Sequence, residues 1–300
     1  MEAFLQTLRE ANVKIRERVP LSGYSTFRVG GPARCLLEPT SIEQLILCLR
    51  TANDFGIGYL VIGKGSNLLF PDEGLDGAII LTTGVREILP EPGGFYATAG
   101  VSLASAAAFA RDAGLTGFEF AHGIPGTVGG AVLMNAGAYG TEMANVVSRV
   151  EAYRISKGER KMLSERECAF GYRTSLFAQD ADWVVLGASV RLVPGDREKI
   201  SSRMEELAAR RRQSQPLEYP SAGSVFKRPE GRFAGKLIED CGLKGLRIGG
   251  AEVSMKHAGF IVNRGKATAA DVCRLIDEIR ERVLRETGVE LKPEIRIIRK

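Results

Sequence analysis

The chain has 300 residues, 44% hydrophobic and 26% charged, enough for about two domains and for cores that need no disulfide staples. A net charge of +5 suits a small polyanion such as a nucleotide; with aromatics at 7% and no basic patch interleaved with them, nucleic acid is set aside as a partner. Five scattered cysteines (Cys35, Cys48, Cys168, Cys241 and Cys273) form no CxxC pair, which argues against a disulfide framework or a zinc knuckle and for a reducing, cytoplasmic setting.

The first twenty residues mix acids and bases without an apolar core, so no signal peptide is expected, and no apolar run reaches the roughly 18 residues of a membrane span. Ser41-Ile42-Glu43-Gln44 has the capping-box pattern, and Ile42, Leu45, Ile46 and Leu49 place one apolar face on the helix it opens. Tyr59 to Ile62 and Ala78 to Leu81 read as strands. Ser102 opens an alanine-rich helix through Ala113, with Gly114 closing it. Val146 to Tyr153, Arg160 to Leu163 and Trp183 to Leu192 read as strands, and a charged helix runs to Arg212. After a loop over residues 215–219, Gly235 to Cys241 is helical and Phe260 to Val262 extended. Val272, Leu275, Ile276, Ile279 and Val283 line one face of a helix from Thr268 to Thr287, ended by Gly288, and Glu294 to Ile298 is a closing strand.

Four segments carry candidate chemistry. Ala121 to Gly140 holds six glycines and a proline but no charged residue, so it is neither one long helix nor an alternating strand. It reads equally as a cradle for a phosphate or flat ring and as a small-residue crossover between layers. Gly63-Lys64-Gly65-Ser66-Asn67 follows a strand and offers converging amides for an anion, but also fits a plain strand turn; it matches neither a Walker loop nor the dinucleotide fingerprint. Arg173, in Gly171-Tyr172-Arg173-Thr174-Ser175, presents a fork suited to carboxylate or phosphate, or is an ordinary surface arginine. Ser224 follows small residues that allow close substrate approach. No GxSxG occurs, and His122 and His257 are too isolated for a triad or a zinc site, so no metal is expected.

Taken in order, STFRVGG from Ser25, GKGSN, GIPGTVGGAVLMNAGAYG, GYRTS, QPLEYPSAGSVFKRP, LKGLRIGGAEVSMKHAGFIVN and LKPEIR resemble the UDP-N-acetylenolpyruvoylglucosamine reductase family over about Tyr24 to Ile297. With little between AGSVFKRP and FAGKLIEDCG, the chain looks like the shorter of its two subtypes. The resemblance implies an α+β fold: two FAD-binding subdomains of the vanillyl-alcohol-oxidase-like type, over residues 1–84 and 85–214, and a substrate-binding domain over 215–293. The closing strand, 294–300, would pack on the first subdomain.

It also implies the chemistry: NADPH reduces bound FAD, and flavin N5 passes hydride to C3 of UDP-N-acetylglucosamine enolpyruvate, giving UDP-N-acetylmuramate for peptidoglycan. By resemblance Ser224 donates the proton to C2, with Arg173 and Glu294 completing the active site. FAD contacts would come from Gly63, Lys64, Gly65, Ser66, Asn67, Gly123, Ile124, Pro125, Gly126, Thr127, Gly129, Gly130, Asn135 and Gly137. Substrate contacts would come from Arg211, Lys227, Lys244 and His257. Arg228 stands where the family usually has Asn, which unsettles one nucleotide contact. No obligate protein partner or membrane insertion is implied. An FAD-dependent sugar or alcohol oxidase of the same superfold is the alternative among enzymes, disfavoured by AGSVFK and LKPEIR; a non-catalytic flavin- or nucleotide-binding module is the alternative outside them.

Overall fold

Two apolar patterns, one-faced helices and short β-branched runs, sort in a computed structural model describing residues 1–299 into two compact units. The first comprises residues 1–17, 35–64 and 77–210; the second comprises 18–34, 65–76 and the chain from 211 onward. Both are discontinuous in sequence. The class is α+β, as expected. Among the described residues no helix is long and apolar enough to cross a membrane.

The first unit has two cores. A four-stranded sheet, ordered Lys14–Pro20, Pro32–Glu38, Leu75–Leu81, Tyr59–Ile62 and lying mostly in this unit, packs with the helices Glu2–Glu10 and Ile42–Asp54 around Phe4, Leu8, Leu37, Leu45, Leu49 and Ile80. The capping box is half realised: Ser41 Oγ accepts from the Gln44 amide at 3.2 Å, but Gln44 Oε1 turns back to the Thr40 amide at 2.9 Å instead. The second core lies with a five-stranded antiparallel sheet ordered Glu159–Ser164, Val147–Arg154, Trp183–Arg191, Gly94–Thr98, Ile88–Glu91. Phe95 meets Phe118 edge-on at 5.6 Å in its centre. On this sheet Gly187 leaves room for the Tyr96 ring, whose hydroxyl donates to the buried Glu151 at 2.5 Å, while Arg160 grips the same carboxylate. Burial, and then that carboxylate, push the Tyr96 pKa far up, so the phenol stays protonated.

The second unit is built on the helix Ala269–Thr287. Its apolar face is the one the sequence indicated: Val272, Leu275, Ile276, Ile279 and Val283 are all buried. Thr268 and Asp271 form a reciprocal capping box, and Gly288 ends the helix at φ 69°. A three-stranded sheet, Arg247–Ile248, Ala251–Val253, Ile261–Asn263, packs against it. The closing strand is shorter than expected, Arg296–Ile297, and pairs in parallel with Leu68–Leu69.

Candidate functional site

In the first unit the glycine stretch resolves into a loop, a short helix, Val128–Met134, and a tight hairpin of Gly137–Ala138 with Thr141–Glu142. Thr127 caps the helix, accepting from the Gly130 amide at 3.4 Å. Gly63 packs directly on it: a Cβ there would sit 2.3 Å from Thr127 Oγ1. Two motifs far apart in sequence therefore share one contact.

The stretch offers fewer donors than its glycine count suggests. The amides of Ile124, Gly126, Val128 and Gly129 bond to the carbonyls of Ala121, Ile124, Val101 and Ala99, and that of Gly130 to Thr127. Gly129 is also pressed on Ala99, where a Cβ would approach to 2.8 Å, close packing of the kind a small-residue crossover needs. Pro125 has no amide hydrogen. Among the described residues only the Gly123 and Thr127 amides make no bond across this span. His122, beside them, has a buried Nδ1 without a partner. An uncharged loop with two uncommitted amides and an orphaned ring nitrogen suits a ligand that brings its own polar groups, as a flavin dinucleotide does. Lys64 is exposed and Ser66 half-buried.

Arg173 sits at φ 54° in a two-residue turn closed by Gly171 and Thr174, which bond amide to carbonyl both ways at 3.0 and 3.2 Å. Its Nη2 donates to Gly137 O at 3.2 Å, and its guanidinium lies 5.2 Å from the Tyr172 ring centre. Asn135 is one of the residues expected at the flavin. It is wholly buried, its Nδ2 donates to Gly171 O at 2.9 Å, and its Oδ1 accepts from the Ala144 amide at 2.9 Å.

The second unit gathers Ser224, His257 and Glu294 from separate segments. Val225 is the hub: its amide donates to Gly259 O at 2.9 Å and its carbonyl accepts from the Glu294 amide at 2.7 Å. Ser224 Oγ has only long contacts, 3.4 Å to both Phe226 O and Gly259 O, so the hydroxyl is weakly committed. His257 Nδ1 accepts from the Gly259 amide at 3.0 Å, placing the neutral ring's proton on Nε2. Burial holds the His257 pKa below the usual range, with the Lys244 charge acting in the same direction. Lys244 pairs with Glu239 at 2.6 Å. Lys227 is half-buried, its amide on Lys292 O; Arg211 lies in the last turn of the helix Arg197–Ser214; Arg228 stacks 4.4 Å from the exposed Phe233 ring.

Several residues act as anchors between segments, a role their motifs did not announce, and Asp72 lies outside every motif. Asn67 Nδ2 donates to Glu294 O at 3.1 Å. Thr26 Oγ1 donates to Ser221 O at 2.7 Å, and Asn263 Nδ2 to Phe27 O at 3.1 Å. Asp72 accepts from the Ala269 and Ala270 amides at 2.7 and 3.0 Å. The one available hint is a polar residue ending an apolar run, as Asn263 does.

Two stretches of the chain match known family models. Residues 33–163 match the family model described as FAD binding domain, and 215–298 the one described as UDP-N-acetylenolpyruvoylglucosamine reductase, C-terminal domain. A UDP-N-acetylenolpyruvoylglucosamine reductase of Caldanaerobacter subterraneus subsp. tengcongensis is 46% identical, covering 98% of this chain and 96% of its own. One from Geobacillus kaustophilus is 45% identical over 93% of this chain and 91% of its own. The crystal structure of the enzyme so named from Thermus caldophilus superposes with a TM-score of 0.79 at 37% identity, covering 95% of this chain and 99% of that one.

Proposed function

The chain belongs to the UDP-N-acetylenolpyruvoylglucosamine reductase family, and from that membership we propose that it reduces UDP-N-acetylglucosamine enolpyruvate to UDP-N-acetylmuramate, using FAD and NADPH. The observation that carries the reading is the gathering of Ser224, His257 and Glu294 by the backbone bonds around Val225, since a reductase of an enolpyruvyl ether needs a proton donor held in a fixed position. Residues 1–84 and 85–214 would hold the cofactor and 215–293 the sugar nucleotide.

Bound FAD supplies the hydride for C3 of the enolpyruvyl group. In this chain the amides of Gly123 and Thr127, with the loop at Gly63, are the groups available to hold it. Arg173 pairs with the substrate carboxylate and stabilises the enolate charge that builds on it. Ser224 then gives its hydroxyl proton to C2, forming the second C–H bond; an enolate carbon is a strong base, so the donor needs position more than acidity. Its weak existing bonds leave that proton easy to transfer. Glu294 acts beside it. Lys244, Lys227 and Arg211 bring positive charge toward the diphosphate, and His257 offers Nε2–H to an acceptor.

The test is NADPH oxidation with and without the enolpyruvyl sugar nucleotide. Substrate-dependent oxidation is expected; substrate-independent oxidation with peroxide would favour an oxidase, and a colourless protein that takes up no FAD would remove both. Ser224→Ala should leave flavin reduction by NADPH near normal and cripple reoxidation by substrate. Equal loss in both half-reactions would sink its assignment as donor.

A further inference from the structure

The turn carrying Arg173 is tied to the end of the helix Val128–Met134 by three side-chain bonds in a row. Ser175 Oγ donates to Leu133 O at 2.8 Å, Asn135 Nδ2 to Gly171 O at 2.9 Å, and Arg173 Nη2 to Gly137 O at 3.2 Å. Residues 133, 135 and 137 thus face residues 175, 171 and 173. The middle rung differs from the others. Asn135 is fully buried and left-handed at φ 41°, a conformation asparagine tolerates better than most side chains. Its amide is used at both ends, because Oδ1 also takes the Ala144 amide just beyond the hairpin that contains Gly137. One side chain therefore fixes both the start of the Arg173 turn and the hairpin that receives the arginine's Nη2.

Arg173 needs such a clamp. Its own φ of 54° is strained for a residue with a Cβ, and a strained turn persists only where its surroundings over-determine it. Holding the Gly171 carbonyl keeps the turn closed, and holding Ala144 keeps Gly137 O in reach.

We propose that Asn135 is a positioning residue for Arg173, acting on the substrate half-reaction through the arginine and not through the flavin. This rests on the reading of Arg173 given above. Asn135→Asp is the first variant, since it keeps an acceptor for Ala144 and removes the donor to Gly171 O. Flavin reduction by NADPH and reoxidation by the sugar nucleotide are followed separately in the FAD-loaded enzyme, along with substrate affinity from the flavin spectrum. Reoxidation is expected to slow about ten- to a hundred-fold with weaker substrate binding, the scale of a small misplacement, while reduction is little changed.

The decisive comparison repeats Asn135→Asp in an Arg173→Ala background. If Asn135 works only through the arginine, the second change adds nothing to the slowed reoxidation. An equal further loss in that background, or unchanged reoxidation in the single variant, overturns the proposal. Should Asn135→Asp fail to fold, Ser175→Ala removes the neighbouring rung and must show the same dependence on Arg173 with a smaller effect. Reoxidation left intact by Arg173→Ala alone would instead remove the reading of Arg173, a separately visible failure.

Discussion

The glycine stretch of the first unit and the Ser224 region of the second reach order by opposite routes. Between residues 121 and 145 local bonds build a seven-residue helix and a hairpin in sequence, and a few longer ones, from Val128 and Gly129 to Val101 and Ala99 and from Asn135 to Gly171, pin them in place. Around Ser224, segments near residues 26, 67, 225, 259, 263 and 294 are stitched by long-range bonds, such as Thr26 to Ser221 and Asn67 to Glu294. The stitched route makes each anchor matter to the whole unit, because removing one frees segments distant in sequence.

That contrast is sharpest within one pentapeptide, GKGSN, which passes from the first unit to the second after Lys64. Gly65 is left-handed at φ 61°, and a Cβ on it would meet the Tyr24 carbonyl oxygen at 2.0 Å, a backbone atom that cannot step aside. Gly65→Ala is expected to cost upward of about 3 kcal/mol, read as a large drop in the denaturation midpoint. A midpoint within a degree or two of the parent would show that the second unit is less tightly stitched than its bonds indicate. Next in size is Asn263→Ala. Asn263 Nδ2 holds Phe27 O, while Oδ1 takes the Gly265 and Ala267 amides at 2.9 and 3.2 Å. With the Phe27 and Ala267 bonds buried and the Gly265 bond only partly so, losing them should cost about 2 kcal/mol in urea unfolding, with substrate binding weakened more than FAD uptake.

The sequence made the elements legible wherever a one-faced pattern met a cap. The helices Ile42–Asp54, Leu103–Asp112 and Ala269–Thr287 follow from apolar spacing with Ser41, Ser102 or Thr268 in front. The strands Ile88–Glu91 and Gly94–Thr98 escaped because Pro90, Gly93 and Gly94 read as turn, and their pairing depends on Trp183–Arg191 far down the chain. The site residues were legible as motifs, but not what each one touches. That Gly129 packs on Ala99, or that Asn135 spends its amide on Gly171 and Ala144, is decided by the partner and not by the residue.

A milder outcome is expected on the local side. Gly63→Ala meets Thr127 Oγ1, a side-chain atom that can rotate away at the expense of its cap on Gly130. The cost should be about 1–2 kcal/mol, with reduced FAD per chain as the clearer readout. If the clash is the cause, Gly63→Ala in a Thr127→Ala background should do no further harm.

The smallest effect separates the two routes by pH. Asp271 accepts from the Thr268 and Gly250 amides at 3.1 and 3.3 Å and pairs with Arg274 at 2.7 Å. The amide bond from Thr268 leads the causes that hold its pKa below the ordinary aspartate range. A carboxylate with a depressed pKa stabilises the fold fully above its unfolded value of about 3.9, and that contribution fades as pH falls through the folded value. Asp271→Asn should therefore cost about 1 kcal/mol at pH 7 and progressively less below pH ~4, measured as the gap between variant and parent melting temperatures. The second unit carries this cap on its long helix, whereas Thr127 caps the helix Val128–Met134 with an uncharged hydroxyl. Thr127→Ser, run in parallel, should show a gap that does not vary with acid. A gap for Asp271→Asn that stays constant down to pH 3 would mean that geometry, and not charge, gives the cap its strength.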